Sequence, residues 1–291
     1  MIVLIGNPAA KKGSAKKFQQ LCRYLRDRGQ EVESLLTRQR GDAELLAQDV
    51  LKKKPQLIFA AGGDGTFNEV MNGIAGSSVP MAIIPLGTTN VLAKELGVPE
   101  HEEDAVDFGL SRYPQSIALG KITLTHCSPP ASRYFCLMAG IGFDGAAVHG
   151  VDETFKKISG RGSYIFSGLK TLGRLNLSGL QVTLDGGIHS CFSLIIGNAK
   201  KYGGNFSVTP DADIAEPSLS VCMFHGKRRV DILRYVFGIL TGQHLKFRDV
   251  GYARAKNLTV SGTGHIQIDG DYLGMTPATI EVVPDILRLV Y

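Results

Sequence analysis

The chain has 291 residues, 44% of them apolar, enough for one or two domains with packed cores. Its net charge of +5 comes from scattered basic clusters without arginine–aromatic interleaving, which excludes a nucleic-acid platform and suits nucleotide phosphates or an anionic membrane surface. No run approaches the ~18 apolar residues of a membrane span, and the five cysteines are odd in number and without zinc or C-x-x-C spacing, so the reading is a cytoplasmic protein with reduced thiols.

Ile2 to Ile5 is apolar and ends at Gly6-Asn7-Pro8. It lacks a basic leader and reads as a first strand, not a signal peptide. A helix is expected from Ser14 to Arg28, with Phe18, Leu21, Cys22 and Leu25 at helical spacing and Gly29 as its stop. Val32 to Leu36 is a second strand. Asp42 to Lys54 is a second helix with Leu45, Leu46, Val50 and Leu51 inward, punctuated by Pro55. Leu57 to Ala61 is a buried parallel strand, and Met81 to Ile84 another, closed by Pro85-Leu86-Gly87. Thr89 or Asn90 starts a helix from Val91 to Leu96, and Asp104 to Leu110 is a further helix. This alternation predicts an open parallel sheet with helices on both faces. It forms an α/β domain over residues 1–115, to which the last strand, about 285–291, returns.

From Ser116 onward strand signals dominate: Ser116–Thr125, Tyr134–Ala139, Leu180–Leu184, Cys191–Gly197, Leu219–Phe224, Asn257–Ser261, His265–Asp269, Thr279–Val283 and Ile286–Val290. They predict a β-sandwich domain over residues 116–284, with helical insertions at about Arg161–Leu175 and Val230–Gly242. In the second insertion Val230, Leu233, Val236, Phe237 and Leu240 share a side, just after Lys227-Arg228-Arg229. That side either packs on the sandwich or forms a rim that meets acyl chains or a bilayer.

The chemistry concentrates after Ala61. Gly62, Gly63, Asp64 and Gly65 make a turn whose amides point outward with no Cβ in the way. Thr66 is expected to cap a helix, with Glu69 closing a capping box and Val70, Met71 and Ile74 facing inward. Strand, glycine turn and helix N-terminus together make an anion site; a plain strand-to-helix turn is the alternative. A carboxylate in a phosphate loop makes sense if it holds a metal ion, a ribose hydroxyl or a proton to be moved. Gly140-Ile141-Gly142-Phe143-Asp144-Gly145 matches G-x-G-x-x-G, but it lies mid-chain without the acid that a dinucleotide fold needs, so it is not read as an NAD site.

The segment from Gly62 to Val70, GGDGTFNEV, followed by Pro85-Leu86-Gly87-Thr88-Thr89-Asn90, resembles the diacylglycerol-kinase-like lipid kinases. These include bacterial diacylglycerol and phosphatidylglycerol kinases and the sphingosine and ceramide kinases. The blocks of the resemblance run in family order over nearly the whole chain. It implies ATP as co-substrate, Mg2+, and a lipid substrate such as diacylglycerol, met by a cytoplasmic protein that is peripheral on the inner face of the membrane. Nucleotide contacts are implied at Asn7, Pro8, Thr37, Gly62, Gly63, Asp64, Gly65, Thr66, Asn68, Glu69, Gly87, Thr88 and Asn90. Lys11 stands where the family has a glycine, and an ordinary Asn-Pro turn is the alternative there.

A regulatory magnesium is implied on the Glu216 carboxylate and the carbonyls of Asp213 and Ser218, although the family's Asp-Gly is Glu216-Pro217 here. Asp269-Gly270-Asp271 matches the family's D-G-E. It implies Asp271 as proton acceptor, one methylene shorter than usual, with Asp269 and Asp64 supporting. Read alone, Asp-Gly is a hairpin turn. Two rivals share parts of this pattern. NAD kinase has the same GGDG, but the NEV extension and the PLGTTN element favour the lipid group. A nucleotide-binding regulator without catalysis is suggested by the departures at Lys11, Pro217 and Asp271.

Overall fold

The computed structural model describes residues 1–150, 178–204 and 206–291; the helix expected at 161–175 lies outside them. The chain divides into two compact units, Met1–Ala118 with Pro284–Tyr291, and Leu119–Val283. No described helix is long and apolar enough to cross a membrane.

In the first unit, β1 (Ile2–Gly6), β2 (Val32–Leu36), β3 (Leu57–Gly62) and β4 (Met81–Pro85) form a parallel sheet in the order β2-β1-β3-β4. The end of the chain's last strand runs parallel to β4, with Leu289 opposite Met81. Every residue of β1, β3 and β4 is buried, as a strand covered on both faces requires. Strand order reverses between β1 and β3, which makes their carboxyl ends the switch point where such sheets bind ligands. The helices are α1 (Ala15–Asp27), α2 (Asp42–Val50), α3 (Asp64–Ile74), α4 (Val91–Leu96) and α5 (Glu102–Ser111). The Ser14 hydroxyl caps α1 by accepting from the Lys17 amide at 3.1 Å.

Two expectations for these helices fail. The inner face of α2 is Ala43, Ala47 and Val50, and Leu45 is 66% exposed, because small residues let α2 approach its neighbour and Leu45 lies off that face. The capping box on α3 does not form. Gly63 is extended, so the helix starts at Asp64 and Thr66 is already in its first turn, buried. Glu69 instead reaches to α2, whose preceding Gly41 offers no side-chain cap. Its Oε1 accepts from the Gly41 amide at 2.9 Å and its Oε2 from the Ala43 amide at 3.2 Å.

In the second unit, β5 (Pro114–Leu124) enters from the first. It is followed by β6 (Ala131–Phe135), β7 (Met138–Ile141), α6 (Phe143–His149), β8 (Leu180–Leu184), β9 (Gly187–Cys191), β10 (Ser193–Gly197), β11 (Lys201–Tyr202), β12 (Phe206–Ser207) and β13 (Leu219–Phe224). Then come α7 (Arg229–Leu240), β14 (Val250–Ala255), β15 (Asn257–Gly262), β16 (His265–Ile268), β17 (Asp271–Met275) and β18 (Ala278–Val290). One antiparallel sheet runs β14-β13-β10-β7-β16-β17. A second antiparallel layer joins β15 to β8 and to the first half of β18, β8 to β9, and β5 to β6. Side chains of both layers, among them Ile122, Phe135, Leu194, Val221, Val260 and Ile280, share one core.

The sandwich strands differ from expectation in three places. Tyr134–Ala139 is broken at Cys136-Leu137, whose amides turn to a side chain (below). Cys191–Gly197 is divided between two strands in different sheets. The two closing strands are one, β18, which carries Pro284 and the positive-φ Asp285 where the chain leaves the second unit. Strands β9 (but for Cys191), β11, β12, β14 and β17 and helix α6 lie outside the elements expected from the sequence.

Candidate functional site

In the first unit, the loops after β1, β2, β3 and β4 are stitched together at the switch point. The Asn7 side chain accepts from the Ala9 amide at 2.9 Å, and the Asn7 carbonyl from the Ala10 amide, so the Asn7-Pro8 segment is a tight turn. The Asn7 amide donates to Ala61 O and the Lys12 amide to Leu86 O, tying this turn to β3 and to the loop after β4. The buried Thr37 follows β2, its amide bonded to Gly6 O at 2.9 Å.

The amides of Leu86 and Gly87 both donate to Gly62 O, at 2.7 and 3.1 Å. Gly63 and Gly87 therefore lie back to back. A Cβ on Gly87 would stand 2.6 Å from Gly63 Cα, so any side chain there would push the two turns apart. Asn90, at φ 47°, closes the second turn: its Oδ1 accepts from the Gly87 amide at 3.0 Å and its Nδ2 donates to Gly87 O at 3.2 Å. Thr88 projects at the exposed tip of that turn.

Asp64 opens α3 and accepts from the Leu92 amide at 3.1 Å, so it joins the glycine turn to the first turn of α4. Desolvation by burial pushes its carboxyl above the ordinary value. The amides of Leu92 and Val91 and the charge of Lys94 oppose this. Around it, the first-turn amides of α3 have no partner within the helix, Gly65 is exposed, and the helix dipole favours an anion. Asn7, Pro8, Thr37, Gly62 to Thr66, Gly87, Thr88 and Asn90 are thus gathered at one end of the sheet. Asn68 and Glu69 lie deeper in α3. Asn68 is buried and accepts from the Asn72 side chain at 3.1 Å, while Glu69 is spent on α2.

In the second unit, Asp269 (φ 47°) and Gly270 (φ 87°) form the two-residue turn between β16 and β17, with Ile268 opposite Asp271. Both central residues have positive φ, the mark of a type I′ hairpin, which favours Asp-Gly. The Asp269 carboxylate accepts from the amides of Cys136, Leu137 and Met138, each at 2.9 Å. These are the amides released where β6 breaks from β7, and the Asp269 amide donates back to Met138 O. Asp269 is a buttress for the turn, whereas Asp271 is half-buried at the start of β17.

Behind the turn lies a network that sequence reading missed. The Gln267 Oε1 accepts from the Gly270 amide at 2.8 Å, and its Nε2 donates to Asp144 Oδ2 at 2.6 Å. The Tyr202 hydroxyl donates to Asp144 Oδ1. Asp144 is buried, and desolvation pushes its carboxyl up against the two hydrogen bonds that favour the charge. Its signal was the G-x-G-x-x-G match, which is a strand leading into α6 and not a dinucleotide loop. Further along the same helix and strand, His149 of α6 stacks on His265 of β16 at 4.7 Å, and His265 Nδ1 lies 3.1 Å from the Tyr272 hydroxyl.

The implied magnesium ligands do not fit a metal ion. The Glu216 carboxylate pairs with Arg254 at 2.9 Å, which puts a guanidinium where the cation would stand. The Asp213 carbonyl accepts from the Glu216 amide at 3.0 Å, and the Arg254 guanidinium also donates to Asp211 O. No group of three His, Cys, Asp or Glu with metal-binding geometry occurs among the described residues.

The chain thus joins a paired glycine turn and a helix N-terminus at the switch point of a parallel sheet, an arrangement that favours anions, to an antiparallel sandwich. Residues 1–122 match the family model described as the diacylglycerol kinase catalytic domain, and residues 138–291 match the YegS C-terminal NAD kinase beta sandwich-like domain. A diacylglycerol kinase of Mycobacterium tuberculosis is 29% identical over 294 residues, covering 99% of this chain and 94% of that protein. One of Bacillus subtilis is 26% identical over 282 residues, covering 94% and 90%. The crystal structure of a diacylglycerol kinase from Bacillus anthracis shares the fold, with a TM-score of 0.78 at 23% identity over 100% of this chain and 96% of that one. The chain belongs to the diacylglycerol kinase family, and is a lipid kinase of the phosphotransferases that use an alcohol acceptor.

Proposed function

We propose that the protein transfers the γ-phosphate of ATP to a hydroxyl of diacylglycerol or a closely related glycerolipid. The observation that carries the ATP half is the back-to-back contact of Gly63 and Gly87 beside the N-terminus of α3. Bare backbone there lets polyphosphate approach the amides and the positive end of the helix. Phosphoryl transfer is mostly positioning and charge neutralisation, and magnesium arriving with the nucleotide supplies part of that charge. Asp64 fixes the glycine turn against α4, and the Asn7-Pro8 and Thr37 segments border the same end of the sheet. The acceptor hydroxyl needs a base as its oxygen bonds to phosphorus. We assign that role to Asp271, with Asp269 holding the turn that presents it.

The experiment is transfer from γ-labelled ATP to three acceptors: vesicles containing diacylglycerol, vesicles containing phosphatidylglycerol, and soluble NAD. Label in phosphatidate is expected, and Asp64→Ala should lower it by about 10²-fold or more with the circular dichroism spectrum unchanged. Labelled NADP without labelled lipid would replace this reading by NAD kinase. ATP binding with no transfer to any acceptor would leave a nucleotide-binding regulator.

A further inference from the structure

Helix α7 buries one face and leaves the opposite face bare. Ile232, Tyr235 and Gly238 are its buried residues. Val230, Leu233, Phe237 and Leu240, at i, i+3, i+7 and i+10, are 65%, 45%, 66% and 40% exposed. They fall on one stripe of the helix, and they make up half of the eight large apolar side chains left exposed among the described residues. Such a concentration on one helix is not the scatter expected of an ordinary surface. The surroundings are basic. Residues 225–250 hold six Lys and Arg (Lys227, Arg228, Arg229, Arg234, Lys246 and Arg248) against Asp231 and Asp249, so they contribute four of the chain's five net positive charges. All six basic residues are exposed. Arg229 and Arg234 bracket the stripe on its two sides by helical position, and Arg234 is held in place by Asp249.

We propose that this face of α7 docks the protein on an anionic lipid bilayer. An apolar stripe with cations along its borders matches a membrane interface layer by layer. The side chains of Val230, Leu233, Phe237 and Leu240 enter the acyl boundary, while the lysines and arginines meet lipid phosphates. A protein partner would be expected to offer acids to the arginines, and a second copy of this chain presents the same positive charge, which repels. The proposal deepens the lipid-kinase reading by naming where the enzyme meets its lipid, and its test separates the two.

The test measures sedimentation of the full chain with phosphatidylcholine vesicles, with and without phosphatidylglycerol, in the absence of ATP. Binding should require phosphatidylglycerol and weaken with salt. Leu233→Ser/Phe237→Ser should lower vesicle partitioning by about tenfold or more, and Lys227→Gln/Arg228→Gln should lower it on anionic vesicles alone. In kinase assays the serine double variant should lose turnover of diacylglycerol in vesicles but retain turnover of a dispersed short-chain diacylglycerol. Failure of the wild type to bind anionic vesicles, or unchanged binding by the serine variant, would overturn the docking site. A dimer in the ultracentrifuge that the serine variant dissolves would also overturn it and give the stripe to a second copy. Vesicle binding without lipid phosphorylation would retain the docking site and count against the kinase reading instead.

Discussion

Gln267 donates its side-chain amide to the buried Asp144 at 2.6 Å, and this bond sets the direction of everything around it. The Gly270 amide needs an acceptor, so Oε1 of Gln267 must face the turn and Nε2 must face Asp144. The Tyr202 hydroxyl donates to the other carboxylate oxygen. Residue 144 must therefore accept on both sides, which a carboxylate does and an amide does not. Asp144→Asn should orphan a buried donor, cost about 1–3 kcal/mol in urea unfolding, and loosen the turn that carries Asp271. We expect kcat to fall by about tenfold or more, since small misplacements near the chemistry are costly, with the KM for ATP unchanged. The pH dependence has a definite sign. Burial holds the Asp144 carboxyl above its ordinary 3.8, so the folded state binds the proton more tightly than the unfolded chain. Its contribution to stability is complete below 3.8 and is lost as pH rises through the folded value. Asp144→Asn should flatten that part of the stability–pH curve. An unchanged curve together with unchanged kcat would remove Asp144 from the network's working parts.

Glu69 offers a cleaner separation of stability from binding. Its two oxygens take the amides of Gly41 and Ala43, which makes it the N-terminal cap of α2 supplied from α3. Glu69→Ala should destabilise the protein by about 0.5–2 kcal/mol, the usual worth of a cap, measured by urea denaturation. ATP affinity by titration should stay within about twofold, because the carboxylate is turned to α2. A large loss of ATP affinity at unchanged stability would return Glu69 to the nucleotide contacts that the motif implied.

The Glu216–Arg254 pair predicts an absence of metal response at that site. Both side chains are 51% exposed, so the pair is worth no more than about 1 kcal/mol. Glu216→Ala should change stability by less than that and leave the calorimetric Mg2+ titration of the wild type as it was. Loss of a magnesium-binding step in Glu216→Ala would show that the carboxylate leaves Arg254 for the ion.

The first unit was the more legible in sequence because its signals are local. Buried parallel strands are continuous apolar runs, and the glycine turns that end them have few sequence alternatives. The exceptions are contacts between elements. Nothing near Glu69 in sequence reveals that Gly41 lacks a cap, so the capping box looked better than it is. In the second unit, strand breaks depend on partners far away. Cys136 and Leu137 leave the ladder because Asp269, more than 130 residues on, takes their amides. Asp144 was visible only as part of a glycine motif, because its two partners come from β11 and β16. The exposed stripe of α7 was legible as a periodicity, but which side faced the sandwich required the fold.

The two carboxylates of the 269–271 turn can be told apart by what each already does. Asp269 accepts three backbone amides at 2.9 Å and adopts φ 47°, so its work is to hold the break between β6 and β7 against the hairpin. Asp271 stands at the start of β17, half-buried, next to the turn that Gln267 anchors. Asp269→Asn offers an amide group, with one acceptor oxygen, to three donors. It should lower stability by about 1–3 kcal/mol and depress activity in proportion to the unfolded fraction, so that activity recovers at lower temperature. Asp271→Asn should leave the melting temperature nearly unchanged and lower kcat by about 10²–10⁴, the usual contribution of a general base, with ATP affinity intact. Asp271→Glu should retain activity, since a carboxylate remains. The measurements are kcat and melting temperature for all three variants on one substrate preparation. A stable Asp269→Asn protein with no turnover, beside an active Asp271→Asn protein, would exchange the two assignments and make the buttress the base.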